Sequence, residues 1–261
     1  MFSCCNIYSI WDKRLIRGVK NYRRLAKNVE YKGNRDVDKN KHVFSYEEST
    51  TELLNCLGIK NMYPGILEAD DVIAWLCKQG DERKVIVSVD QDMLQLVSET
   101  VDVYSPIKDK HINLENFADH TNVSIDQFLR YKSLIGDKSD NLPGLDKCGP
   151  KTAKKLITEC PDDDTLIEKI GNERLKNYFV NLEMIDLKQG ELKHPEDTKL
   201  YIKQYDKLQD QQPDFDTFRS KCESLNLNSI VNRIDDWKQL FTNSNINDKL
   251  ESIVNSLSLN K

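Results

Sequence analysis

Hydrophobic positions along the chain fall into two regimes, predicting alternating strands and helices before about residue 115 and helices alone after it. Ala69, Val72, Ile73 and Leu76 sit at i, i+3, i+4 and i+7, the spacing of one helical face. That helix opens at Glu68-Ala69-Asp70-Asp71. Lys84 to Val89 is a continuous β-branched run, the pattern of a parallel strand covered on both faces, and it ends at Asp90. A short apolar helix around Met93 to Val97 and a strand over Val101 to Tyr104 follow. Cys5 to Trp11 predicts a buried strand ending at Asp12, and Glu47 to Leu57 a helix with Leu53, Leu54 and Leu57 on one face. The alternation predicts an α/β fold, a mostly parallel sheet flanked by helices.

Beyond residue 115, Ser124 to Ile135 predicts an amphipathic helix with Phe128, Tyr131, Leu134 and Ile135 inward. Gly136 to Gly144 breaks it. A second helix starts at Gly149-Pro150-Lys151, with proline at the favoured first position. Further helices are predicted over Asp163 to Leu187, Phe215 to Leu225 and Ile230 to Phe241. The expected organisation is a core over residues 1–115 and a helical region over 116–261.

Composition narrows the chemistry. The 261 residues carry no apolar run of the roughly 18 needed to span a membrane. The opening segment lacks the basic stretch of a signal peptide, so a cytoplasmic setting is expected. Seven cysteines, an odd number with no CxxC pair, suggest neither a disulfide framework nor a zinc site. Four scattered histidines leave carboxylates as the groups able to carry catalysis. The net charge of −5 hides a pattern: residues 1–41 hold eleven Lys or Arg against four Asp or Glu, and residues 130–155 seven against three. Basic segments around an acidic middle suit a protein that grips a phosphate backbone and holds cations, although solvated helix faces produce the same counts.

Three constellations stand out. Glu68, Asp70 and Asp71 can cap a helix, and three carboxylates in four residues exceed what capping requires. Residues 68 and 71 share a helical face, so two can converge on one cation. Asp90 and Asp92 lie just past a strand, as Asp12 does, where open α/β sheets gather ligands, although aspartate also starts turns there. Gly136-Asp137-x-x-Asp140 leads into Gly144 and Gly149, two glycines five apart that permit a tight loop between helices. Free amides at the second helix start, with Lys151, Lys154 and Lys155, can bind a backbone phosphate.

These strings in this order, EADD, then SVDQD, then GDKSDNLPGLDKCGPKTA, with YKGNRD at 31–36, resemble the 5′-nuclease family. That family includes bacteriophage 5′-3′ exonucleases, flap endonucleases and the 5′-nuclease domain of bacterial DNA polymerase I. The likeness covers residues 5 to about 157. It implies a PIN-like nuclease core with an arch at about 32–67, then a helix–three-turn–helix at about 124–157 that binds duplex through Gly144, Gly149 and Lys151. It implies Asp12, Glu68, Asp70, Asp71, Asp90 and Asp92 around a first cation, and Asp137 and Asp140 facing a second. Mg²⁺ or Mn²⁺ is expected at both, since all the ligands are hard oxygens. Lys32 and Arg35 would contact the scissile phosphate. Tyr31 would stack a terminal base or pack as a core residue.

The implied activity is metal-dependent 5′-3′ exonucleolytic or flap-endonucleolytic cleavage of DNA in replication or repair. Branched, flapped or nicked duplex is the expected partner, with RNA in hybrids as an extension, and the expected state is a monomer. The phage-like motifs and Asn- and Lys-rich composition point to a viral source. The family's leading strand, which ends in an Asp-Gly type motif and supplies a central metal ligand, has no counterpart in these residues. An open sheet edge is therefore expected. Three origins would each produce this pattern: a mistaken start codon, a split or intron-interrupted gene whose other fragment completes the site, or a catalytically impaired DNA-binding relative.

Overall fold

The computed structural model of the chain describes residues 6–12 and 45–242. Along them run β1 (Tyr8–Ile10), α1 (Glu47–Cys56), β2 (Lys60–Met62), α2 (Ala69–Cys77), β3 (Lys84–Val87) and a 3-10 turn at Gln91–Leu96. Next come β4 (Val101–Ser105), β5 (Lys110–Ile112), α3 (Phe117–Thr121), α4 (Ile125–Ile135) and a small ladder of β6 (Gly136–Asp137) with β7 (Leu142–Pro143). The rest is helical: α5 (Pro150–Glu159), α6 (Asp163–Ile170), α7 (Lys176–Ile185), α8 (Leu187–Lys193), α9 (Pro195–Leu208), α10 (Phe215–Ser224), α11 (Asn228–Val231) and α12 (Ile234–Thr242). This is the expected α/β fold with a helical continuation. Its described residues form two compact units, 6–11 with 45–63 and 201–242, and 12 with 64–200.

In the first unit β1 and β2 pair in parallel, Tyr8 against Lys60 and Ile10 against Met62. The predicted buried strand at the N-terminus is shorter than expected, and its three residues are only half-buried. Strand β2 is not legible as one, because Lys60 and Asn61 are polar yet buried. Burial of such groups costs little only when each finds a partner. The Lys60 ammonium donates to Asn6 Oδ1 at 2.8 Å and lies 5.3 Å from the centre of the Tyr8 ring. Asn61 accepts from Trp11 Nε1 and donates to Asn55 Oδ1, both at 2.8 Å. Helices α1 and α10 then close a small core of Leu57, Ile59, Phe218, Cys222 and Ile234, onto which Leu53 and Leu54 pack as their spacing predicts. Both α1 and β2 lie within the stretch expected to form the arch.

In the second unit β3 pairs in parallel with β4, and β4 antiparallel with β5. Ile86, Val101 and Val103 face a core completed by Met93, Leu94, Phe117, Phe128, Leu134 and Ile157. Among the described residues the double cover predicted for Lys84 to Val89 is not found. Val85, Val87 and Val89 are 49%, 59% and 56% exposed, while Ile86 between them is buried. Among the described residues β3 therefore has one covered face, and β4 is its only strand neighbour.

Helix α2 begins where predicted but turns a slightly different face inward, burying Val72, Ala74 and Trp75. The predicted helix over Asp163 to Leu187 is broken at Gly171, which has φ +88°. Arg130 of α4 ties this region together. Its Nε donates to Asp163 Oδ1 at 2.9 Å and to Tyr178 Oη at 3.2 Å, and its Nη1 to the carbonyls of Cys160 and Pro161. No helix among the described residues is long and apolar enough to cross a membrane.

Candidate metal and nucleic-acid site

Every described member of the predicted carboxylate set belongs to the second unit, where it falls into two groups. The first surrounds the start of α2. Glu68 is the N-cap, and Asp71 Oδ2 accepts the Glu68 amide at 2.9 Å in a reciprocal capping box. Both carboxylates are buried. The capping role open to these residues in the sequence is thus real for these two. Asp12 joins them through Oδ1, which accepts the Ala69 amide at 2.8 Å. Asp70 is half-buried beside them.

The second group surrounds a lysine. Asp90 follows β3 and its Oδ1 accepts the Asp92 amide at 2.8 Å. Asp92, in the 3-10 turn, forms an ion pair with Lys132 of α4, and the same ammonium lies 3.4 Å from Asp137 Oδ2. Asp137 also accepts from Ser139 Oγ at 2.6 Å, from the Ser139 amide at 2.8 Å and from the Asp140 amide at 3.3 Å. Burial pushes the Asp92 carboxyl up; Lys132 opposes this, and Asp90 and Asp137 add to it. Burial would likewise lower the Lys132 pKa, but Asp92 and then Asp137 and Asp90 outweigh it and raise it. For Asp137, burial is outweighed by the Ser139 hydrogen bonds and Lys132, which hold it below the usual carboxylate range. Two carboxylates pair with one ammonium and Asp90 adds its charge nearby, so the surplus is negative.

Type and spacing of carboxylates do not reveal Lys132. A different signal was available: the lysine sits among Phe128, Tyr131 and Ile135 on the apolar face of a helix, five residues before Asp137. A cavity of about 590 Å³ opens beside the group, lined by Asp90, Lys132, Asp137, His120, Asn122 and Tyr131 among others. Burial, with Lys110 and Lys108 adding to it, holds His120 below the usual imidazole range.

Hard oxygen donors with surplus negative charge suit a divalent cation such as Mg²⁺ or Mn²⁺. The donor chemistry therefore fits. The geometry is more open than the sequence leads one to expect: among the described residues no three His, Cys, Asp or Glu side chains converge to hold an ion. Lys132 stands between Asp92 and Asp137 instead.

The loop after α4 explains the two glycines differently. A Cβ on Gly144 would lie 2.1 Å from the Ile135 carbonyl oxygen, and one on Gly136 would lie 2.4 Å from the Gly144 nitrogen. Gly144 is thus demanded by close backbone approach. Gly149 is the N-cap of α5, with open space where its Cβ would be. Its N-cap residue makes no side-chain cap bond among the described residues, no acid occupies its first turn, and Lys151, Lys154 and Lys155 are exposed on it. An uncapped N-terminus with flanking lysines suits an anion. Tyr31, Lys32 and Arg35 lie outside the described residues.

Residues 6–122 match the family described as 5′-3′ exonuclease, N-terminal resolvase-like domain, and residues 123–216 that described as 5′-3′ exonuclease, C-terminal SAM fold. The 5′-3′ exonuclease of Aquifex aeolicus is 31% identical over 187 residues, covering 70% of this chain and 64% of that protein. The 5′-3′ exonuclease of Buchnera aphidicola subsp. Schizaphis graminum is 32% identical over 169 residues, covering 64% and 54%. The DNA polymerase I of Rhizobium leguminosarum is 35% identical over 127 residues, covering 46% of this chain and 12% of that protein. The chain thus spans less than two thirds of the length of each of these three. Among solved structures, the T5 D15 protein co-crystallised with metal ions superposes with TM-score 0.65 at 21% identity, covering 78% of this chain and 84% of that one. A complex of T5 D15 flap endonuclease with DNA and metal ions gives 0.63 at 21% identity, covering 78% and 82%. At that identity the likeness speaks for the fold.

Proposed function

The chain belongs to the 5′-3′ exonuclease family, its residues 6–216 being matched by that family's two domains, and from this premise we propose that it is a divalent-metal-dependent 5′ nuclease. It hydrolyses phosphodiester bonds near 5′ ends of flapped or nicked DNA, including RNA–DNA hybrids, and acts as a monomer. The observation that carries the reading is the pairing of one buried ammonium, Lys132, with both Asp92 and Asp137, with Asp90 nearby, beside a cavity that Asp90, Lys132 and Asp137 line.

Two Mg²⁺ or Mn²⁺ ions, when bound, supply charge that activates a water and stabilises the leaving oxygen. Asp12, Glu68, Asp70, Asp71, Asp90 and Asp92 would hold the first, and Asp137 and Asp140 the second. Lys132 offsets the charge of Asp92 and Asp137 and holds the two carboxylates close together, ready to exchange the ammonium for a harder cation. Lys32 and Arg35 bear on the phosphate and the charge that develops on it. The segment from α4 to α5 serves as a helix–three-turn–helix: α5 presents free amides and Lys151, Lys154 and Lys155 to the duplex backbone, fixing position without reading sequence.

A second reading is favoured by Lys132 itself, which stands between Asp92 and Asp137 where a cation would draw on both. In it the chain binds branched duplex without cutting. A 5′-labelled flapped duplex in millimolar Mg²⁺ separates the two. Release of short 5′ products, abolished in Asp92→Ala and Asp137→Ala with DNA affinity retained, supports the nuclease. Salt-dependent binding with no cleavage at any metal concentration supports the second reading.

A further inference from the structure

The turn that carries Glu68 and Asp70 is gripped from behind by helices far along the chain. Asp197, buried in the first turn of α9, accepts three consecutive backbone amides on one oxygen: Gly65 at 2.9 Å, Ile66 at 3.1 Å and Leu67 at 3.0 Å, all to Oδ2. Its Oδ1 accepts the Ile66 amide again at 3.3 Å. Gly65 is required there, since a Cβ on it would lie 2.3 Å from Oδ1. A second support comes from α8: a Cβ on Gly190 would lie 2.4 Å from Asp71 Oδ1. The capping box already fixes the other oxygen of Asp71, so that side chain has nowhere to swing.

We propose that Asp197 is a positioning residue for the Glu68-Ala69-Asp70-Asp71 turn, its carboxylate setting the backbone of residues 65–67 and so the aim of Glu68 and Asp70 at a bound divalent cation. The proposal rests on the nuclease reading of the site. A carboxylate that only filled space would not need three amides in a row directly before the ligand turn. Charge-assisted hydrogen bonds to backbone amides are short-range and directional, so they fix the path of those three residues tightly. In the Asp197→Asn variant the one remaining oxygen can take the Oδ2 position, but the NH₂ then meets the Ile66 N–H that Oδ1 now accepts, and the charge that holds all three amides is lost. Groups that orient metal-binding side chains typically change affinity by about 10–100-fold when removed.

The test is Mn²⁺ binding to the full chain by electron paramagnetic resonance, beside thermal melting, for the parent, Asp197→Asn and Tyr178→Phe. Tyr178 donates to Asp163 within the same unit, away from the turn, so its loss destabilises without touching the ligands. The expected result is about a ten-fold loss of Mn²⁺ affinity in Asp197→Asn and an unchanged affinity in Tyr178→Phe. Equal affinity in Asp197→Asn and parent overturns the proposal while leaving the nuclease reading intact. Loss in both variants in step with their melting temperatures overturns it too, as a general effect of stability. Absence of Mn²⁺ binding by the parent overturns the nuclease reading and the proposal together. Should Asp197→Asn not fold, Gly65→Ala, which pushes the same carboxylate away, carries the same expected outcomes.

Discussion

Replacing Lys132 by methionine keeps most of the buried stem and removes only its charge. Without metal, the side chains of Asp92 and Asp137, 14% and 21% exposed, lose their shared counter-charge. At the 3.4 Å separation of Lys132 and Asp137 a unit pair is worth roughly 5 kcal/mol at an effective dielectric of about 20. Desolvation of the ammonium, absent in the variant, offsets part of this, and breaking a buried pair typically costs about 3–5 kcal/mol. Proton uptake limits the loss further. Burial already holds the Asp92 carboxyl above its unfolded value of about 3.9, so the folded state binds that proton more tightly than the unfolded state. The stability this group contributes is present in acid and is lost as pH rises through the raised folded pKa. Removing Lys132 raises that pKa further, so the variant's deficit is smaller at pH 5 than at pH 8. Urea denaturation in EDTA at both pH values measures it, with about 2–3 kcal/mol expected at pH 8. A deficit under about 1 kcal/mol, the range of exposed pairs, or one that does not shrink in acid, refutes the account of Lys132 as the counter-charge.

The two glycines of the loop should respond oppositely to alanine. Gly144→Ala drives a Cβ into the Ile135 carbonyl and should cost about 3 kcal/mol or more, read as a lower melting temperature; Gly149→Ala meets nothing and should cost about 1 kcal/mol or less. Similar melting temperatures for the two would contradict the backbone packing described. Lys151→Ala and Lys154→Ala should leave the fold unchanged and each lower the slope of log affinity against log salt for duplex DNA by about one. An unchanged slope in both removes them from the interface.

Local rules make much of this legible. The α2 start follows from its cap and apolar spacing, α4 from Ser124 and its inward stripe, and α5 from Gly149 and Pro150 at the expected positions. The misses share a cause: the decisive partner lies far away in sequence. Strand β2 is polar because Asn6, Trp11 and Asn55 satisfy it. Helix α9 escapes the pattern because Tyr201 is buried while Leu200 and Ile202 beside it are exposed, leaving no apolar stripe to count. The carboxylates are found by type and spacing, whereas Lys132 and Asp197 act through contacts 40 and 130 residues distant. A β-branched run such as Lys84 to Val89 states that a strand forms, not how many of its faces will be covered.

The open face of β3 shapes how the protein behaves in concentrated solution. Val85, Val87 and Val89 form a ridge of methyl groups beside a strand edge that no described strand occupies. Such an edge is a template for pairing with other chains, and neither lysine nor proline interrupts this one between Val85 and Val89. The net charge of −5 keeps molecules apart only over a screening length of roughly 8 Å at physiological salt. A strand laid over this ridge would therefore act as a solubiliser as well as a neighbour.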